Sequence, residues 1–336
     1  MVETYPSMAG SGDPWSYWTV LRRKILRKMH DGLTTFELAQ AFNQSTEQIL
    51  SELQPLQTAS LIKPDKGGFK PTFFIADRQE TEKVYQHSQS TGRKLSEALL
   101  SHWNHLESAY RELSLSQHQN FDELSFMLVG SRILDIGLLG ALTRDRTLLT
   151  TAPSRPSPER PDARYYFWMV EGELEHLGKY GQNDTDLPWS DWHLLTFGKN
   201  WIEGEHNTAR EDLERRCAEL IESDSVEDPK SLSAELAIPY LSEAESEKWA
   251  TVSERLSDIL LDVLIGCKSE INELYQGLKA STYASDSFGE FFCWYFHLVF
   301  AWTIDLIFEK GVITIPTEGF SSIILYKKGR EGVLVT

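Results

Sequence analysis

Residues Thr34–Ile62 read TTFELAQAFNQSTEQILSELQPLQTASLI, and their punctuation decides the N-terminal fold. Thr34-x-x-Glu37 and Ser45-x-x-Gln48 are two capping boxes, each able to satisfy the free N–H groups at the start of a helix. Asn43 lies between the two helices they begin, and asparagine tolerates the left-handed backbone that a sharp turn requires. Leu38, Ala39, Phe42, Ile49 and Leu53 fall on the inward faces of such a pair, which makes a helix-turn-helix. Upstream, WSYWTVLRRKILRKMHDG carries Leu21, Ile25 and Met29 at helical spacing and stops at Asp31-Gly32. Downstream, LIKPDKGGFKPTFFIA gives an apolar strand, a turn rich in Pro, Asp and Gly, and a second strand, so a hairpin follows the helices.

The pattern G-L-T-T-x-E-L-A-x-x-F-x-x-S-x-x-Q-I-x-x-x-L-x-x-L-x-x-x-x-L-I, Gly32 to Ile62, is similar to the winged helix-turn-helix of bacterial regulators of the ArsR and MarR type. The likeness covers at most a quarter of the chain. It implies double-stranded DNA as the partner, with the second helix of the motif in the major groove and the hairpin, or wing, at the phosphates. Residues Ser45, Thr46, Gln48 and Ser51 then approach the bases, since glutamine pairs with adenine. Lys63, Lys66 and Lys70 on the wing, with Arg22, Arg23 and Arg27 on the preceding helix, would meet phosphates. Glu47 and Glu52 oppose this, because a carboxylate near phosphate is repelled. The alternative is an interaction module that does not bind DNA.

Charge divides the chain of 336 residues, whose net charge is −17. Residues 1–80 hold nine Lys and Arg against nine Asp and Glu, so the whole −17 falls on residues 81–336. That remainder is repelled by nucleic acid, which steers any DNA contact to the N-terminal part. Hydrophobic content of 41% and charged content of 25% are those of an ordinary globular protein. Cys217, Cys267 and Cys293 are widely spaced and odd in number, so neither a disulfide framework nor a Cys-x-x-Cys metal site is written here. No signal peptide is read at the N-terminus, and a reducing cytoplasm is expected. FGEFFCWYFHLVFAWTIDLIF, Phe288 to Phe308, is apolar nearly throughout but contains Glu290, His297 and Asp305. It is expected to be a buried central helix, with no membrane as partner.

The expected fold class is α+β, mostly helical, with a winged helix over 1–80, a helical connector over 81–120 and a larger acidic domain over 121–336. In the connector, a break is expected at Thr91-Gly92, and Leu95, Leu99, His102, Leu106 and Tyr110 form a stripe suited to pairing with a second copy in a homodimer. TAPSRPSPERPDAR is irregular, with four prolines in fourteen residues. RYYFWMVEGE and WHLLTFGKNW read as strands, followed by helices near 205–223 and 250–279, and GVITIPTEGFSSIILYKKGR reads as a closing hairpin.

Two sites of chemistry are weighed besides DNA. RILDIGLLGAL, Arg132 to Leu142, resembles the strand and glycine loop with which many methyltransferases hold S-adenosylmethionine, with Asp135 as the acid and Glu171 ending a later strand. Gly137-Leu138-Leu139-Gly140 lacks the central glycine, and with helical period the same residues read as a buried helix. His102-x-x-His105, Glu173, Glu175, His176, Glu205 and His206 offer metal-ligand types without a four-ligand spacing, so no metal and no cofactor is assigned. No Gly-x-Ser-x-Gly, P-loop or His-Glu-x-x-His occurs. Because pockets gather aromatic side chains around a few polar groups, Trp168, Glu171, Trp192, His193 and Trp201 are the expected effector site. The functional expectation is a DNA-binding transcriptional regulator and not an enzyme.

Overall fold

The computed structural model describes residues 3–11, 14–156, 160–189, 191–199, 204–284 and 287–326 of the chain, with the side chains of 3, 11, 16 and 205–208 outside that description. The first strand, β1 (Glu3–Ser11), precedes three helices, α1 (Val20–His30), α2 (Thr35–Phe42) and α3 (Thr46–Thr58). A hairpin follows, β2 (Ile62–Asp65) and β3 (Gly68–Pro71), paired from Ile62 opposite Pro71 to Asp65 opposite Gly68. Chain direction then changes at Thr72-Phe73, and β4 (Phe74–Ala76) joins a different sheet.

The long α4 (Arg78–Ser101) and α5 (Trp103–Arg111) come next. The helical run continues as α6 (Phe121–Ser125), a π-helical stretch (Phe126–Asp135) and α7 (Ile136–Asp145). Then come β5 (Arg164–Gly172), β6 (Tyr180–Asp186), β7 (Trp192–Lys199), α8 (Gly204–Glu222), α9 (Pro229–Leu236) and β8 (Tyr240–Leu241). The last elements are α10 (Glu243–Gly266), α11 (Lys268–Gln276), α12 (Ala280–Tyr283), α13 (Phe288–Glu309) and β9 (Phe320–Tyr326). The class is α+β and mostly helical.

Strand β5 explains how the two ends of the chain are joined. It pairs antiparallel with β1, Ser7 opposite Trp168, and parallel with β4, Phe74 opposite Trp168. Successive side chains of a strand point to opposite faces, and here both faces are covered. Tyr165, Phe167 and Met169, with Phe73 and Ile75, pack against Ile25, Leu38, Ile49 and Leu53 of the first three helices. Tyr166, Trp168 and Val170, with Phe74 and Ala76, pack against the C-terminal helices. This sheet is therefore a partition between two cores, and the apolar run YYFWMV is its sequence signature. The expected boundary at residue 80 is bridged by it, and the larger core runs from Phe74 to Leu325 across the boundary at 120.

Two expectations for the connector give way to packing. Helix α4 passes unbroken through Thr91-Gly92, where a Cβ on Gly92 would lie 2.7 Å from Trp302 Cβ and 3.1 Å from the Val299 carbonyl of α13. The glycine lets two helices touch. Leu95, Leu99, Leu106 and Tyr110 are buried in the chain's own core, with His102 half-buried at the junction of α4 and α5, so that stripe is not available to a second copy. Helix α13 is enclosed as expected: Phe291, Trp294, Tyr295 and Phe300 are fully buried. Both α13 and the helical run Phe121–Asp145 are long and apolar enough to cross a membrane, and most of each lies inside the fold. Among the described residues the closing segment holds one strand in place of the expected hairpin: β9 pairs with β7, Trp192 opposite Tyr326, and with β8, Tyr240 opposite Ile324.

Candidate nucleic-acid interface

The helix pair forms as its caps dictate. Thr34 Oγ1 accepts from the Glu37 N–H at 3.3 Å, and the Glu37 carboxylate accepts from the Thr34 N–H at 2.8 Å. Asn43 turns the chain at φ 51° and ψ 46°, inside the left-handed region. Ser45 Oγ then accepts from the Gln48 N–H at 3.2 Å, and Gln48 Oε1 accepts from the Ser45 N–H at 2.8 Å. Leu38, Ala39, Ile49 and Leu53 are buried, leaving Glu47, Gln48, Leu50, Ser51, Gln54 and Gln57 exposed along α3.

The caps constrain the expected base contacts. Gln48 Oε1 is committed to its cap, so a bidentate pair with adenine requires that bond to open, although its amide N–H groups remain free to donate. The Ser45 hydroxyl is the other half of the same cap, Thr46 is half-buried, and the Ser51 hydroxyl donates to the Gln48 carbonyl at 2.7 Å. Gln54 and Gln57, not singled out from the sequence, are exposed a turn and two turns beyond Leu50. Glu47 is exposed, and hydrogen bonding from its own N–H and from Ser45 holds its carboxyl below the ordinary range.

The arginines of α1 are turned to internal work. Arg22 Nε donates to Glu52 at 2.9 Å and its Nη1 to the Tyr17 carbonyl. Arg23 reaches the Thr4 carbonyl at 3.3 Å. Arg27 bridges Glu171 of β5 at 2.9 Å and Asp31 at 2.6 Å. These three side chains stitch α1 to α3 and to the partition sheet, so a phosphate would have to share them with these partners. The pairing also neutralises Glu52. On the wing, Lys63 and Lys66 are exposed, while Lys70 is half-buried and 3.5 Å from Asp65. Gly68 at the wing tip lies so close to α2 that a Cβ would stand 2.3 Å from Thr35 Oγ1, at φ +153°. The wing is thereby seated on the start of the helix pair.

Where α1 ends, a buried network joins this module to the C-terminal body. His30 contacts the Tyr283 hydroxyl through Nδ1 at 2.7 Å and Glu80 through Nε2 at 2.8 Å. Glu80 also accepts from the Lys279 N–H at 2.6 Å, and the Lys279 ammonium sits 2.9 Å from Asp77. Burial acts to raise the Glu80 carboxyl, but hydrogen bonds from His30 and Lys279 hold it below the usual range. Ligand atoms of His30, Asp77 and Glu80 lie within 4.8 Å of one another, yet the Lys279 ammonium already pairs with Asp77 and neutralises one of the two carboxylates. A cleft of about 340 Å³ opens beside this network, between the wing and α12.

The remaining sequence candidates are dispersed. Trp168 is buried in the larger core, 5.6 Å centroid to centroid from His297. Glu171, three residues along the same strand, faces α1 and also accepts from the Arg78 N–H at 3.3 Å. Trp192 stacks on Tyr240 in the second sheet, and His193 Nδ1 is held by Asp184 at 2.8 Å and Asp186 at 3.1 Å. Trp201 lies outside the described residues, as do the side chains of Glu205 and His206. These residues do not make one site. Of the other metal-ligand types, His176 is occupied locally, its Nδ1 accepting from the Glu173 N–H at 2.9 Å. The expected strand and glycine loop are not formed at Arg132–Leu142: Gly137 and Gly140 are helical, and a Cβ on Gly137 would stand 2.4 Å from Ser257 Oγ of α10. Asp135 is the last residue of the π-helical stretch and buried, and no strand leads into a loop there.

Two capped helices with a hairpin seated on them, joined through a shared sheet to a larger helical body, are thus the arrangement of the described residues. Compared with family models, curated proteins and solved structures, the chain has no match in any of the three.

Proposed function

We propose that this chain is a winged-helix transcriptional regulator that reads double-stranded DNA with α3 and the wing, and whose C-terminal body senses a ligand or partner. The observation that carries the reading is the doubly capped helix pair, turned at Asn43, with a polar row on α3 beside a wing bearing exposed Lys63 and Lys66. Affinity in this reading is modest by construction, since few cations face outward. Specificity rests on the amides of Gln48, Gln54 and Gln57 at base edges. Regulation is a population shift: the body and the reading head share β5 and the His30–Glu80–Lys279 network, so a ligand preferring one body conformation biases the attitude of α3. A homodimer would present two such heads to successive turns of the groove, using a surface other than the buried connector stripe.

Selection from a random duplex library at low salt tests this. Recovery of a defined site, with preference relaxed by Gln54→Ala, supports the reading. A second reading, an interaction module, is favoured by the acidic or neutral outer face of the helix pair, where Phe36 and Leu50 are 63% and 43% exposed and no Lys or Arg lies on α2 or α3. Absence of any enriched site at low salt would favour that reading.

A further inference from the structure

A second cleft, distant in sequence from the reading head, has the chemistry of a small-molecule site. It has a volume of about 340 Å³ and lies between α4, α13, the turn at Leu174–Leu177 and the adjoining ends of β6 and β7. That is the small end of the range for ligand pockets, about 300–1,000 Å³. Tyr85 of α4 and Trp302 of α13 form an aromatic wall, with ring centroids 5.2 Å apart. Lys179 and Asp305 on the rim are locked together at 2.8 Å, and the Tyr180 hydroxyl also donates to Asp305 at 2.7 Å, so this pair is already satisfied. Glu175 and Lys199 complete the rim, one of each sign, and neither side chain makes a hydrogen bond or ion pair among the described residues.

An anion alone would meet Lys199 but be opposed by Glu175, and a cation alone would meet the reverse. A body with no charge would use neither. We propose that this cleft binds a zwitterion with an apolar body, of the class of α-amino acids with aromatic side chains. The carboxylate sits on Lys199, the ammonium on Glu175 and the ring against Tyr85 and Trp302, where aromatic contact adds to burial. The proposal rests on the sensor reading above for its purpose, but not for its chemistry. Tyr85 lies between one and two helical turns from Glu80 on α4, so the occupied cleft bears on the element that holds His30.

Isothermal titration calorimetry of the full chain without DNA tests it, using phenylalanine, phenethylamine and 3-phenylpropionate as probes. Phenylalanine is expected to bind about tenfold or more tightly than either singly charged analogue. Lys199→Met should abolish its advantage over phenethylamine, and Glu175→Gln its advantage over 3-phenylpropionate; both residues lie at the rim and leave the core intact. No saturable binding of phenylalanine or tryptophan at millimolar concentration would overturn the proposal. So would equal binding of all three probes, or affinities that neither substitution changes. Because DNA is absent, failure of the regulator reading leaves this result standing, and the reverse.

Discussion

Gly92→Ala tests the packing on which both the cleft and the body depend, because two known effects oppose each other there. Replacing an interior helical glycine with alanine stabilises a free helix by about 0.5–1 kcal/mol. At this position the new Cβ would lie 2.7 Å from Trp302 Cβ, 3.1 Å from the Val299 carbonyl and 3.4 Å from the Thr303 backbone nitrogen. Two of those neighbours are backbone atoms of α13, so relief requires the helices to part, and overpacking of this kind costs about 1–3 kcal/mol. The Thr303 hydroxyl, which approaches the Gly92 carbonyl at 3.3 Å, would be carried away with it. The net expectation is a loss of about 1–2 kcal/mol, read as a fall in urea midpoint with an unchanged slope. Gly266→Ala is the control: this residue ends α10, a Cβ added there would meet nothing within 4 Å, and the substitution should raise the midpoint. A rise at Gly92 as well would refute the close approach of α4 and α13.

Further outcomes follow from buried charge. Asp135 is pushed up to about 7 by burial, only partly offset by the Gln182 N–H. Its folded value therefore exceeds its unfolded one, and its contribution is complete below about pH 4 and lost as pH rises to about 7. Asp135→Asn should change thermal stability little at pH 4 and raise it at pH 8; an equal effect at both would contradict the assignment. Arg155 and Glu290 face each other at 2.7 Å with side chains 2% and 1% exposed. Arg155→Met should cost about 3–5 kcal/mol by stranding the carboxylate, and adding Glu290→Met should restore most of it. Denaturation of the single and double variants decides between stranding and simple loss of packing.

What could be read from the sequence was what is local. Capping boxes, the Asn43 turn and the inward faces of α2 and α3 involve residues within four positions of each other, so their physics is complete in a short window. The strand at YYFWMV was legible too, and a run without alternation already implies two covered faces. Its partner β1 was not, since ETYPSMAGS contains Pro6 and Gly10 and pairs with a strand some 160 residues away, a separation set by Ser7 opposite Trp168. The internal partners of the arginines were hidden for the same reason. Arg27 has Asp31, four residues on, as a partner within reach of the sequence, and only the fold brings Glu171 to it. Gln48 is different, because the sequence itself assigned that side chain both to a cap and to a base, and the cap holds it. The second cleft gathers Tyr85, Glu175, Lys199 and Trp302 from four separate elements and had no local signature.

The most direct test of the reading head is the salt dependence of DNA binding, measured by fluorescence anisotropy between about 50 and 200 mM salt on a duplex recovered by selection. Each phosphate contact contributes about 0.9 to the slope of log affinity against log salt. Lys63→Ala/Lys66→Ala should therefore lower the slope by about 1.8 for each protomer engaged, while Arg23→Ala, whose guanidinium is turned to the Thr4 carbonyl, should leave it unchanged. A slope that ignores the wing lysines, or that falls when Arg23 is removed, would contradict the placement of phosphate at the wing.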